Sequence, residues 1–124
     1  MNHEQFNQFC RALPATTHVV QWGNSEVWKV GGKVFAIGTR TPSGTPAYTF
    51  KTSERNFVFL SESDGYIPAP YFASRGMKWI QQIDASPERD EALQYYLHAS
   101  YQLVSKGLSQ RVRKELGIDE GPLK

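Results

Sequence analysis

The residue types that most often carry catalysis or bind metals are few in this sequence and are not grouped. The three histidines, His3, His18 and His98, are scattered, and none has a cysteine or histidine partner at the spacing of metal ligands. The single cysteine, Cys10, falls among apolar residues at helical spacing, which favours a buried, unreactive thiol. The sequence therefore predicts no metal site, no cofactor and no catalytic residues, and we expect the protein not to be an enzyme.

Basic residues indicate a binding function more strongly than any residue type indicates catalysis. From residue 22 to residue 51 the chain carries four cations against one acid. Several of these cations are predicted to share one face of a sheet, where lysine and arginine neutralise phosphates and an aromatic ring can stack on a base. The predicted nucleic-acid-binding residues are Lys29, Arg40, Lys51, Lys78 and Trp22.

Two other interpretations of this face stay open. Its valines and alanine, Val20, Val27, Val34 and Ala36, interleave with the cations and would offer apolar surface to a protein partner or to a second copy of the chain. Alternatively, the face is simply solvated, and its lysines suppress edge pairing and aggregation.

The elements that must position these residues begin with a meander of strands. Gly31-Gly32 is a two-residue connection between β-branched and aromatic runs, and glycine supplies the positive φ that such hairpins need. A second hairpin is predicted at Trp22 to Ser25, and a six-residue loop at Thr41 to Pro46.

Counting outward from these turns pairs Trp28 with Phe35, Val19 with Trp28, and Ile37 with Phe50. The predicted apolar face then carries Val19, Trp28, Phe35, Ile37, Thr39, Tyr48 and Phe50. The predicted basic face carries Val20, Trp22, Val27, Lys29, Val34, Ala36, Arg40, Thr49 and Lys51. We expect the helices to cover the apolar face and to bury Trp28, Phe35, Phe50 and Trp79.

Helix signals occur before and after the meander. The starts are Asn2 with Gln5 as a capping box, Ser53 before Glu54, Ser86 before Pro87, and Ser109, and Pro14 and Gly107 mark ends. Residues 77–83 alternate as a final strand, and the run from Tyr66 to Tyr71 is held extended by two prolines. This run is interpreted as a connector, with a peptide or ligand contact through its two tyrosines as the alternative.

These elements predict an α+β protein with two layers, a five-stranded antiparallel sheet and helices packed on one face, in the order α-β-β-β-β-α-β-α-α. With 124 residues, of which 40% are hydrophobic and 21% charged, one domain over residues 1–116 and a tail over residues 117–124 are expected. No apolar stretch is long enough for a bilayer and residues 1–13 do not resemble a signal peptide, so a cytoplasmic location is predicted.

The order of these signals resembles the MmcQ/YjbR family of small bacterial proteins over about residues 5–116. The segments that carry the resemblance are Leu13-Pro14, Trp22-Gly23, Val30 to Ala36, Phe50-Lys51-Thr52-Ser53, Pro68 to Tyr71, Trp79, and Ala99-Ser100-Tyr101-Gln102. The resemblance implies a two-layer α+β domain with a double-wing character and a DNA-binding role assigned by fold analogy. It also implies an architecture similar to type III secretion chaperones, which bind proteins. It supplies no catalytic residues.

Combined, the residues and the resemblance predict weak, salt-sensitive and nearly sequence-independent binding of DNA. The alternative is a protein-binding adaptor or chaperone-like module without catalytic activity. No membrane partner and no bound metal are expected.

Overall fold

The protein is described by a computed structural model over residues 1–118, in which six strands and four α-helices form two layers. The strands are β1 (Thr16–Gln21), β2 (Ser25–Val30), β3 (Lys33–Arg40), β4 (Pro46–Lys51), β5 (Tyr66–Pro68) and β6 (Trp79–Gln82). The helices are α1 (His3–Arg11), α2 (Glu54–Ser61), α3 (Asp90–Lys106) and α4 (Gln110–Leu116), with 3-10 turns at Ala73–Arg75 and Pro87–Arg89. Residues 119–124 of the predicted tail lie outside the described residues.

Side-chain capping explains where most helices begin. The Asn2 side chain accepts from the Gln5 amide while the Gln5 side chain accepts from the Asn2 amide, so the predicted capping box is confirmed. Ser53 and Ser109 cap α2 and α4 as predicted. Ser86 makes no capping bond, and a 3-10 turn precedes α3 instead. None of the helices within residues 1–118 is both long and apolar enough to cross a membrane.

The sheet is antiparallel throughout, with strand order β1-β2-β3-β4-β6-β5. The α+β, two-layer prediction is confirmed, and the count of five strands is one too low. The sixth strand is Tyr66–Pro68, which lies in the run predicted to be an extended connector. Its three residues pair with β6, so the extension that the prolines impose is used to add an edge strand.

One face of the sheet, here the inner face, packs against the helices. Trp28, Phe35 and Phe50 are almost completely buried there, as predicted, together with Tyr48 and Ile80. The helices contribute Phe6, Cys10, Leu60, Leu93 and Leu97 to the same core. Burial raises the pKa of the Cys10 thiol, so the thiol remains protonated in the folded protein.

The opposite side of the sheet, here the outer face, is covered differently. Residues 69–78, the connecting segment between β5 and β6, lie against it and carry no α-helix. The Phe72 ring stacks on Trp79, with centroids 4.9 Å apart. This contact accounts for the predicted burial of Trp79, which is confirmed but on the side away from the helices.

The predicted register is wrong by one residue at three places. The first hairpin pairs Gln21 with Ser25, so its loop has three residues. The loop after β3 pairs Arg40 with Pro46 and so has five residues rather than six. The Gly31-Gly32 hairpin forms as predicted, but the ladder shifts between Trp28 and Lys29, which leaves Phe35 as the extra residue of a β-bulge.

The bulge turns both Phe35 and Ala36 towards the helices and reverses the alternation of side chains along the rest of β3. The first loop, one residue longer than predicted, reverses the faces of β1 in the same way. The loop after β3, one residue shorter than predicted, offsets the bulge, so Tyr48 and Phe50 of β4 keep their predicted side. As a result, Val19, Ile37 and Thr39 lie on the outer face, and Val20, Ala36 and Arg40 lie on the inner side.

Candidate nucleic-acid interface

Two of the predicted cations share the outer face. Alternation along the strands places Lys29 with Val27, and Lys51 with Thr49, on this side of the sheet. The two lysines lie on either side of β3, about 10 Å apart at the backbone for two strand spacings. Lys51 is the last residue of β4 and also lines a cavity of about 180 Å³ with residues of α2 and α3, including Lys106.

Arg40 does not join these lysines. It follows Ala36 and Gly38 on the inner side because the bulge has shifted the alternation of β3. Its guanidinium donates to the carbonyl of Gly44 at 3.1 Å, within its own hairpin loop. The prediction that Arg40 shares a face with Lys29 and Lys51 is therefore wrong.

Lys78 is also directed elsewhere. Its ammonium lies 5.2 Å from the centroid of the Phe57 ring, on α2, in a cation–π contact. Since α2 belongs to the layer that covers the inner face, the Lys78 charge is not part of the outer face.

Within residues 1–118, the outer face carries no acidic residue. The side chains assigned to it by the register are Thr17, Val19, Gln21, Ser25, Val27, Lys29, Val34, Ile37, Thr39, Ala47, Thr49, Lys51, Ile67, Trp79 and Gln81. The connecting segment contributes Arg75 and no acid. The acid nearest in the meander, Glu26, lies on the inner side and pairs with His18 at 2.6 Å.

A groove of about 440 Å³ crosses this face between the first hairpin and the connecting segment. Its lining residues are Trp22, Ser25, Ile37, Thr39, Thr49, Pro70, Tyr71, Phe72 and Gln81. None of these residues is charged, and hydroxyl and amide groups alternate with apolar side chains. The groove is therefore suited to a flat, uncharged ring with polar edges.

Trp22 and Tyr71 border the groove and remain 58% and 64% exposed. Both have left-handed backbone conformations, with φ of 54° and 72°. Bulky residues rarely adopt this conformation, and positions that do so cluster at binding sites and active sites. The fold thus keeps two large aromatic rings in water at a cost in backbone strain.

Hydrogen bonds between side chains order the polar part of the groove. The Gln81 amide nitrogen donates to the Thr49 hydroxyl at 3.1 Å, across the β4–β6 ladder. The Ser25 hydroxyl lies 3.1 Å from both the Thr39 hydroxyl oxygen and the Trp22 carbonyl oxygen. The Ser25 bonds link the backbone of Trp22 to β3.

Comparison with known proteins gives the family. The YjbR family model matches residues 11–103. This chain belongs to the YjbR family.

Solved structures similar to the chain include a protein from Deinococcus radiodurans described with a DUF419 domain. It has a TM-score of 0.78 and 22% identity, covering 99% of this chain and 96% of that one. A protein from Pseudomonas syringae has a TM-score of 0.69 and 18% identity, covering 83% of this chain and 98% of that one. Both proteins are similar to this chain in fold. None of the curated proteins matches the sequence.

Two segments that carry the YjbR resemblance meet at the bulge. The Ser100 hydroxyl, on α3, donates to the Phe35 carbonyl at 2.6 Å and accepts from the Lys51 amide at 2.9 Å. It thereby connects β3 and β4 just beyond the end of their ladder, where Ala36 pairs with Phe50. The junction from Phe50 to Ser53 is thus tied to the segment 99–102 through one buried hydroxyl.

Of the predicted site residues, Trp22 borders the groove. Tyr71 is predicted only as the alternative ligand contact, and its signal is the proline-held run that contains it. Arg75 is not among the predicted site residues. The grouping of Thr39 with Thr49 was not predicted, because the assumed register put them on opposite faces.

Proposed function

We propose that this member of the YjbR family is a non-catalytic, cytoplasmic protein that binds single-stranded nucleic acid through its outer face. The observation that carries the proposal is the charge of this face: in the part of the chain that the structure describes, it combines Lys29, Lys51 and Arg75 and contains no acid. Acids elsewhere on the chain nearly balance the cations, since the formal net charge is +2. Positive potential is therefore concentrated where a polyanion would bind.

Single strands fit this face better than a duplex does. Only Lys29 and Lys51 of the four cations first predicted remain on the face, which leaves few contacts for duplex phosphates. Exposed rings, by contrast, stack on any unpaired base and contribute about 1–3 kcal/mol per base. We therefore expect weak, salt-sensitive binding with little dependence on sequence.

The test is a salt series on fluorescently labelled oligothymidine, measured by anisotropy. Removing both charges in Lys29→Ala/Lys51→Ala should weaken binding and flatten the slope of log K against log salt by about 1.4 units, which is about 0.7 for each phosphate that is no longer neutralised. Arg111→Ala/Lys114→Ala removes two positive charges from α4 instead and is the matched control.

The proposal predicts that the control variant binds almost as well as wild type. Equal weakening by both pairs would indicate general cationic attraction and not an outer-face site. Absence of wild-type binding to single strands at low salt would overturn the proposal.

A second candidate function is protein binding, and one observation favours it. Val27 and Ala36, which were expected to offer apolar surface, are completely buried, so that version of the prediction is wrong. Strand β1, however, is an edge strand in which Val19 and Val20 are 36% and 50% exposed. A partner's extended segment could pair with this edge by β-augmentation.

This candidate has a separate test. Val20 lies on the inner side of this edge strand, away from the outer face. Replacing Val20 with lysine places a charge on the edge strand, which should abolish capture of a protein partner while leaving oligothymidine binding intact. If such capture survived Val20→Lys, β1 would not be the surface used.

A further inference from the structure

We propose that the groove between Trp22 and Tyr71 is a site for one nucleobase, held by stacking on these rings and by hydrogen bonds to Thr49 and Gln81. The inference rests on the proposed function and deepens it, since it names the part of the nucleic acid that enters the groove. The same chemistry is offered by an unpaired base of a strand and by a free nucleotide.

The two residues that carry these rings, Trp22 and Tyr71, share an unusual backbone conformation. Trp22 belongs to the loop between β1 and β2, and Tyr71 belongs to the connecting segment, so the two are distant in sequence. Each has a positive φ, and each leaves well over half of its surface in water at the border of the same groove. Coincidence of two such outliers at one groove indicates a site organised for a ligand.

The polar groups of Gln81 and Thr49 in the groove can each form a further hydrogen bond. The Gln81 amide uses its nitrogen to donate to Thr49, and its oxygen has no hydrogen-bond partner among residues 1–118. That oxygen is left to accept a bond, and the Thr49 hydroxyl is left to donate one. A base presents both donors and acceptors along its edge, whereas a purely apolar ring would leave these groups unpaired.

Charge distinguishes a nucleotide from a cationic ligand. Ammonium groups also bind to aromatic faces. Here, however, the Arg75 guanidinium already lies 5.4 Å from the centroid of the Tyr71 ring, and none of the described residues that line the groove is an acid. A second cation would be repelled, whereas the phosphate of a nucleotide would be attracted to Arg75.

Tryptophan fluorescence provides the test, because Trp22 is exposed while Trp28 and Trp79 are only 2% and 5% exposed. Adenosine monophosphate, adenosine and ribose 5-phosphate are titrated at low salt into the full chain. Stacking of a base should quench the emission of Trp22. We expect quenching by adenosine and its monophosphate, tighter binding of the monophosphate, and no quenching by ribose 5-phosphate. In Trp22→Ala the quenching should disappear, and this result would assign the quenched emission to Trp22.

The matched variants are Tyr71→Ala and Tyr95→Ala. Tyr95 lies on α3 and is 65% exposed, against 64% for Tyr71, so both substitutions remove an equally exposed tyrosine from the surface. Tyr71→Ala should weaken binding of adenosine monophosphate by about fivefold or more, and Tyr95→Ala should leave it unchanged. Far-ultraviolet circular dichroism confirms that each variant is folded.

The outcomes separate the two proposals. If oligothymidine binds with the expected salt slope while Tyr71→Ala and Tyr95→Ala weaken nucleotide binding equally, the groove is not the site and the proposed function stands. If nucleotides bind in the groove but oligothymidine does not bind, the site stands and the nucleic-acid function fails. The proposed base site would be overturned if ribose 5-phosphate quenched the fluorescence as much as adenosine monophosphate. It would also be overturned if neither adenosine nor its monophosphate quenched the fluorescence at millimolar concentration.

Discussion

The inner face of the sheet buries its aromatic rings beneath α-helices, whereas the outer face is covered by one irregular segment and leaves two rings in water. On the inner face, Phe35 and Phe50 are 0% exposed. On the outer face, Trp22 and Tyr71 are more than half exposed, and their backbones are strained.

This contrast separates stability from binding. Rings that are removed from water and closely packed stabilise the fold, since buried apolar area is the dominant favourable term in folding. Rings that stay in water contribute little to stability and remain available to a ligand. Substitutions on the inner face should therefore change the free energy of unfolding, and those at the groove should change binding alone.

The largest effect is expected at the bulge. Phe35→Ala removes a ring that is fully buried and packs edge-on against Tyr101, and should lower the free energy of unfolding by about 3–5 kcal/mol. The neighbouring Val34→Ala, on the outer face, should cost about 1 kcal/mol or less. Urea denaturation measures both, and a loss below about 1 kcal/mol for Phe35→Ala would contradict its place in the core.

The next largest effect is expected at Tyr48, on the pH dependence of the free energy of unfolding. Burial raises the pKa of Tyr48 to about 12, and its hydroxyl donates to the Met1 carbonyl at 2.8 Å. An unfolded tyrosine ionises near pH 10, so from about pH 10 to 12 unfolding releases a proton and the folded state loses about 1.4 kcal/mol per pH unit.

Burial also raises the pKa values of Tyr66 and Tyr96, and comparison with Tyr48→Phe isolates the contribution of Tyr48. The free energy of unfolding of this variant should fall less steeply above pH 10 than that of wild type. Parallel curves for the two proteins would show that Tyr48 ionises freely in the folded state.

A smaller effect is expected at Ser100. Ser100→Ala leaves the Phe35 carbonyl and the Lys51 amide without their shared hydroxyl, and a buried unsatisfied group costs about 1–3 kcal/mol. Ser105→Ala, on the same helix, removes a hydroxyl that bonds only within its own helix and should cost less than about 0.5 kcal/mol. Equal costs in chemical denaturation would show that Ser100 does not bridge β3 and β4.

The smallest effect on stability is expected at the groove. Trp22→Ala removes a ring that is 58% exposed, so the free energy of unfolding should change by less than about 1 kcal/mol. The same variant should lose binding of single strands. A large loss of stability would mean that Trp22 belongs to the structural core of the outer face.

Local signals in the sequence predicted the elements well, because each cap or turn depends on a few adjacent residues. Asn2, Ser53, Ser109 and the Gly31-Gly32 turn are confirmed. The apolar rings of Trp28, Phe35 and Phe50 also indicated the core correctly.

The composition of the outer face was harder to predict because register errors propagate. One extra residue at the bulge moves Arg40 to the inner side and Thr39 to the groove, and both Phe35 and Ala36 are apolar, so the sequence gives no sign that alternation fails between them. Tyr71 joins the groove only because residues 69–78 fold back across the sheet, which is a long-range contact without a local signal.

The central claim is that the outer face, and not the inner face, binds nucleic acid. The three tryptophan indole groups test it directly in a ¹⁵N-edited NMR spectrum, because Trp22 borders the groove, Trp79 lies beneath Phe72, and Trp28 lies on the inner face, where it donates to Asn7. On titration with short oligothymidine at low salt, the indole resonance of Trp22 should shift most and that of Trp28 should stay unchanged. A shift of Trp28 with Trp22 unchanged, or no shift of any indole, would contradict the claim.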